Sequence, residues 1–140
     1  VGVTAAPDRR TVLKVVGVTA ALGAGVAACG DGRPARSAKP APAAGTRLVA
    51  ASDVPVGGGV ILPDAQLVVT QPTTGVFKGF SFICTHAGCP VTAIQDGSII
   101  CPCHGSHFSI ANGDPTPGSP AKQPLAAVAV TEQNGEVLMA

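Results

Sequence analysis

From residue 46 onward, short apolar runs alternate with turn signals. The runs lie at 47–50, 60–62, 67–70, 76–83, 91–94, 98–101, 126–131 and 136–139. Between them stand Gly57-Gly58-Gly59, a Pro63-Asp64 turn, Thr73-Thr74-Gly75, Asp96-Gly97 and Asn134-Gly135. Asp-Gly or Asn-Gly between two apolar runs signals a tight hairpin, because both turn positions tolerate positive φ. Many short strands at close spacing predict an all-β domain, an antiparallel sandwich or barrel. No segment sustains the 3.6-residue period of an amphipathic helix.

Residues 1–45 follow another pattern. Arg9-Arg10-Thr11-Val12-Leu13-Lys14 precedes an uncharged run over 15–28, rich in Ala, Gly and Val. An apolar stretch of about 10–14 residues is short for a membrane span and suits the apolar region of an export signal. Its glycines and lack of amphipathic period argue against a core helix. A retained membrane anchor is the rival reading. Arg9 and Arg10 resemble a twin-arginine export signal. Val26-Ala27-Ala28-Cys29 resembles a bacterial lipobox, which implies that Cys29 carries lipid at the start of the mature protein; the alternative is a free or oxidised thiol. Residues 29–45 are dominated by Pro, Ala and charge and cannot pack a core, so they read as a semi-extended tether. The expected organisation is a signal over 1–28, a lipidated Cys29 and tether over 29–45, and a folded domain over 46–140. Its location would be the outer face of the cytoplasmic membrane.

Composition narrows what that domain can be. The chain has no Trp, no Tyr and four Phe, so any core rests on Val, Ile, Leu and Ala. A domain this small often needs a covalent staple or a metal. The net charge of +1 gives no nucleic-acid footprint. Residues 46–140 carry Arg47, Lys78 and Lys122 against six acidic side chains, a mildly acidic balance that reads as ordinary solubility.

The candidate chemistry is concentrated in two segments. Cys84-Thr85-His86-Ala87-Gly88-Cys89 is followed, after eleven residues, by Cys101-Pro102-Cys103-His104-Gly105-Ser106-His107-Phe108. These hold four of the five Cys and all three His. The Asp96-Gly97 hairpin between them can fold one segment back onto the other. Each then offers thiolate and imidazole, a mixed set that suits iron or zinc. A structural zinc site is one alternative, although zinc spacing usually pairs Cys with Cys and His with His. A plain disulfide framework is another, permitted in an exported chain, but it leaves the histidines without a role.

The two segments resemble the cluster-binding boxes of Rieske iron–sulfur proteins, in the form found in quinol-oxidising cytochrome complexes. The resemblance covers about residues 46–140 and is strongest over 84–108. It implies an antiparallel β sandwich with a small two-loop cluster-binding subdomain, and a [2Fe-2S] cluster with Cys84 and Cys101 on one iron and His86 and His104 on the other. It further implies a Cys89–Cys103 disulfide joining the loops. Two neutral imidazoles in place of two thiolates take the oxidised cluster from net charge −2 to 0. This raises the reduction potential to about −150 to +300 mV, against about −400 mV for plant-type ferredoxins. The outer N–H groups of the imidazoles can also couple a proton to the electron. Ser106 matches a serine whose hydroxyl donates to a bridging sulfide and raises the potential. Phe108 stands where high-potential members have a Tyr that hydrogen-bonds a ligand cysteine, so the potential should fall below the top of the range. Gly118-Ser119-Pro120-Ala121 resembles the proline-containing loop that covers the cluster. His107 is expected at the surface rather than on the metal.

The implied function is one-electron transfer, as carrier or iron–sulfur subunit in a quinol–cytochrome reductase-like chain. The implied partners are a cytochrome or quinol-oxidising membrane complex, and the membrane itself through the lipid on Cys29. Two alternatives are the small Rieske subunit of an exported molybdenum oxidoreductase such as arsenite oxidase, and a Rieske ferredoxin serving an oxygenase. Oxygenase-type sites usually lack the second cysteine pair. No acid–base set or substrate pocket is visible beyond the cluster ligands, so catalysis by this chain alone is not expected.

Overall fold

The computed structural model describes residues 39–140; Arg9 and Arg10, expected as an export signal, and Cys29 lie outside the described residues. Three antiparallel sheets form, as the all-β expectation required. Strands β1 (Arg47–Ala50), β9 (Val130–Gln133) and β10 (Glu136–Met139) make the first, in the order β1-β10-β9. Strands β2 (Gly58–Leu62), β3 (Leu67–Thr73), β4 (Val76–Ser81) and β8 (Ala127–Val128) make the second, in that order. Strands β5 (Ala93–Gln95), β6 (Ser98–Cys101) and β7 (Ser106–Ser109) form a third, a simple meander.

The centre of the packing is β3. Successive side chains of a strand point to opposite faces, and here both faces are covered. Val68 joins an apolar cluster with Phe80, Ile99, Phe108 and Leu125. Val69 joins a second cluster with Val54 and Val137, against which Leu48, Val60, Phe77 and Val130 pack. The unbroken apolar run Leu67-Val68-Val69 is the sequence mark of a strand buried on both sides. Thr70, fully buried beside them, donates its hydroxyl to the Ile110 carbonyl at 2.7 Å and so ties the second sheet to the chain leaving β7.

Both tight hairpins form as read from the sequence. Asp96 and Gly97 have φ of 48° and 72°, and Asn134 and Gly135 have 54° and 81°. Ser98 then pairs with Gln95, and Glu136 with Gln133. Three expectations are corrected. The run at 126–131 is two strands, not one. β8 pairs with β4 and β9 with β10, and Ala129 between them accepts from the Ala140 N–H at 3.1 Å. The strand expected over 76–83 ends at Ser81, because Phe82 turns away and donates its N–H to the Gln66 carbonyl at 3.1 Å. Strand β7 was not foreseen, since its residues sat inside the metal-binding motif.

The passage from β8 to β9 leaves no room beside β4. A Cβ on Gly79 would lie 2.5 Å from the Val128 carbonyl oxygen and 2.7 Å from a Val130 methyl. Overpacking against backbone costs about 1–3 kcal/mol. Gly79→Ala is therefore expected to lower unfolding free energy by about that amount, read by chemical denaturation; unchanged stability would contradict the tight passage.

Candidate metal centre

The two loops that carry the candidate ligands adjoin the third sheet. The first runs over 84–90, between β4 and β5, and closes on itself. The Cys84 N–H donates to the Cys89 carbonyl at 2.7 Å, and the Gly88 N–H donates to the Cys84 carbonyl at 2.9 Å. Ile83 and Pro90 form an isolated bridge at its base. The second runs over 102–105 between β6 and β7, whose register places Cys101 opposite Ser106. A Cys89–Cys103 disulfide joins the loops, with Cα atoms 6.5 Å apart. For the 14-residue separation it spans, loop-closure entropy gives about 3 kcal/mol of stabilisation.

The disulfide removes Cys89 and Cys103 from the pool of metal donors and leaves Cys84 and Cys101 as free thiols. These two are 2% and 1% exposed and belong to the apolar cluster containing Phe108. Burial pushes the Cys101 thiol above its ordinary range, and the neighbouring Cys84 adds to this. The backbone amides of Cys103 and His104 act the other way by favouring the thiolate. The histidines are disposed oppositely. His86 and His104 are exposed, with ring centroids 4.7 Å apart and planes at 77°. The site thus has a dry sulfur end and a wet imidazole end.

Ser106 and Phe108 lie on the same inward face of β7 and are wholly buried, while His107 points to the other face. The Ser106 hydroxyl is the one buried side-chain polar atom among the described residues without a hydrogen-bond partner. Leaving a buried hydroxyl unpaired costs about 1–3 kcal/mol. An acceptor within its reach, such as an inorganic sulfide, would satisfy it. Phe108 offers no hydroxyl to compete for such an acceptor.

The segment over 116–123 is stitched to the first loop and to β7. The Ser119 hydroxyl accepts from the His107 N–H at 3.1 Å, and the Thr116 N–H donates to the His107 carbonyl at 2.9 Å. The Thr85 hydroxyl donates to the Gln123 carbonyl at 2.6 Å, and Ala121 packs into the cluster holding Cys84 and Cys101. Thr85 and Gln123 were not singled out from the sequence. Nothing local marks a threonine whose partner is a distant carbonyl.

Comparison with known proteins decides the family. Residues 46–130 match the family model of the Rieske [2Fe-2S] domain. The chain belongs to this family. A candidate respiratory nitrate reductase Rieske subunit from Haloferax mediterranei is 33% identical over 76 residues, covering 54% of this chain and 34% of that protein. The cytochrome b6-f complex iron-sulfur subunit of Gloeobacter violaceus is 36% identical over 80 residues, covering 55% and 41%. The chain thus spans well under half the length of these curated relatives. Among solved structures, the Sphingomonas yanoikuyae B1 ferredoxin superposes with a TM-score of 0.55 at 28% identity, over 68% of this chain and 96% of that one.

As a Rieske domain the chain carries a [2Fe-2S] cluster and transfers electrons. The donor set fits that cofactor: two thiols, two imidazoles and an orphaned hydroxyl aimed inward. The structural zinc reading is set aside.

The disulfide is the covalent link between two loops that otherwise rest on hydrogen bonds. Cys89→Ser or Cys103→Ser is expected to make the cluster labile. Its visible absorbance should bleach faster in air or at raised temperature, and equal lifetimes in wild type and both variants would contradict the role.

Proposed function

We propose that Cys84 and Cys101 hold one iron and His86 and His104 the other, in a one-electron carrier or iron–sulfur subunit of a membrane-associated quinol–cytochrome reductase-like chain. The observation that carries this reading is the pair of exposed imidazoles, 4.7 Å apart, and the pair of buried free thiols, on two segments that a disulfide joins. The cluster supplies a reversible one-electron couple whose potential the neutral ligands raise to about −150 to +300 mV. The chain's own residues do the rest. Cys84 and Cys101 keep their sulfurs out of water, so little solvent reorganises around them. His86 and His104 are exposed, where a partner can approach. Ser106 donates its hydroxyl at the buried end, and Phe108 fills the adjoining volume without adding a donor.

The Gloeobacter relative, a subunit of a cytochrome b6-f complex, supports a quinol-oxidising partner. The Haloferax relative, a nitrate reductase Rieske subunit, supports the second reading, the small Rieske subunit of an exported molybdenum oxidoreductase such as arsenite oxidase. A role as an oxygenase ferredoxin has the overall fold in its favour; the disulfide argues against it. Arg9 and Arg10 as an export signal and Cys29 as a lipid anchor complete the proposal, placing the domain on the outer face of the cytoplasmic membrane. Among the described residues no helix is long and apolar enough to cross a membrane.

Two measurements test this reading. One compares midpoint potentials. A hydrogen bond is worth about 1–1.5 kcal/mol, so Ser106→Ala should lower the potential by on the order of 60 mV. Phe108→Tyr should raise it; a potential unmoved by both changes would contradict the assigned roles. The other is purification from detergent-solubilised membranes after fatty-acid labelling. The expected result is label that disappears in Cys29→Ala, together with a co-purifying haem-containing complex that oxidises quinol. Co-purification with an enzyme acting on nitrate or arsenite would favour the second reading.

A further inference from the structure

The sulfur atoms of Cys89, Cys101 and Cys103 all lie within 4.8 Å of one another. Two of them are bonded as the disulfide, and the third is a free thiol. A nucleophile therefore rests beside a bond that it can attack. Thiol–disulfide exchange needs no external oxidant: the attacking sulfur, as its thiolate, forms a new disulfide and expels the other partner.

We propose that in the cluster-free chain Cys101 exchanges into the Cys89–Cys103 bond, and that ligation of Cys101 to the cluster is what protects the native pairing. The protection rests on the ligand assignment given above; the exchange rests on the sulfur geometry alone. The step balances without any oxidant. Cys101 reacts as the thiolate formed on loss of its proton, and its sulfur bonds to Cys89 Sγ. The Cys89–Cys103 bond breaks, and its electron pair leaves on Cys103 Sγ, which then takes up a proton. One thiol and one disulfide enter, and one thiol and one disulfide leave.

Two features direct the attack to Cys89. A bond from Cys101 to Cys103 would close a small ring across Pro102 alone, whose fixed φ limits how the chain can bend to meet disulfide geometry. Cys103 is also exposed, so its departing thiolate is hydrated, whereas Cys89 is half-buried. The exchanged chain has lost one of its two free ligand thiols inside the new disulfide. It cannot take a cluster until a reductant releases Cys101. Assembly then has an order, with the cluster in place before the disulfide, and cluster loss without a reductant becomes a one-way step.

The experiment uses the full chain, loaded and then stripped of iron anaerobically with a chelator and no thiol present. Free thiols are alkylated and the pairing is mapped. Cleavage before Asp96 separates Cys89 from Cys101 and Cys103, and fragmentation at the Cys101–Pro102 bond tells which of the latter is linked. The loaded protein should show Cys89–Cys103 alone. The stripped protein should show Cys89–Cys101 with alkylated Cys103 as its major species, and refilling with iron and sulfide should fail until dithiothreitol is added. Cys101→Ser, which lacks a cluster ligand and is used unloaded, should keep Cys89–Cys103 through the same chelator exposure. A stripped wild-type chain that retains Cys89–Cys103 with Cys101 alkylated would overturn the exchange while leaving the cluster assignment intact. Absence of iron and sulfide from the loaded protein would overturn the assignment instead.

Discussion

Cys84, at the start of the first loop, and Cys101, at the end of β6, meet inside one apolar cluster, and the rest of the site is arranged around that meeting. Neither loop has regular structure of its own, so their geometry must be imposed. The β6–β7 register sets Cys101 opposite Ser106. The disulfide fixes the loop tips. The segment over 116–123 ties itself to the first loop through Thr85 and to β7 through Ser119. These constraints are of different kinds, and together they replace the large core that a chain without Trp or Tyr cannot build.

The same packing divides the site by solvent. Apolar neighbours shut the thiols away, and the imidazoles stay at the surface. A centre that accepts one electron benefits from a dry interior, because less water must reorient when its charge changes. Exposed imidazole edges give a partner a place to come close without entering the core. The double-faced burial of β3 matters here too, since it joins the cluster around the thiols to the one formed with the terminal strands, and so makes the loops part of a continuous packed body.

Much of this was legible in the sequence. The interleaved Cys and His could not be matched to ordinary zinc spacing, and the Asp96-Gly97 hairpin between them foretold the return of the chain. Both hairpins formed because Asp, Asn and Gly accept the left-handed conformation those turns demand. The disulfide was implied by resemblance and is present. What was not legible depended on distant partners. Residues 126–131 look like one strand because their pattern is uniform, yet two different sheets claim the two halves. Strand β7 was hidden because a chemical motif masked its alternation of Ser106 and Phe108 inward with His107 outward. Thr85 and Gln123 carry no local signal at all.

The most direct measurement of the central claim is pulsed EPR on the reduced protein carrying nitrogen-isotope-labelled histidine. Ligation by Cys84, His86, Cys101 and His104 predicts strong coupling of the unpaired electron to two histidine nitrogens, shifted by the label and abolished together with the cluster in Cys84→Ser. A reduced cluster with no histidine nitrogen coupling would contradict the account.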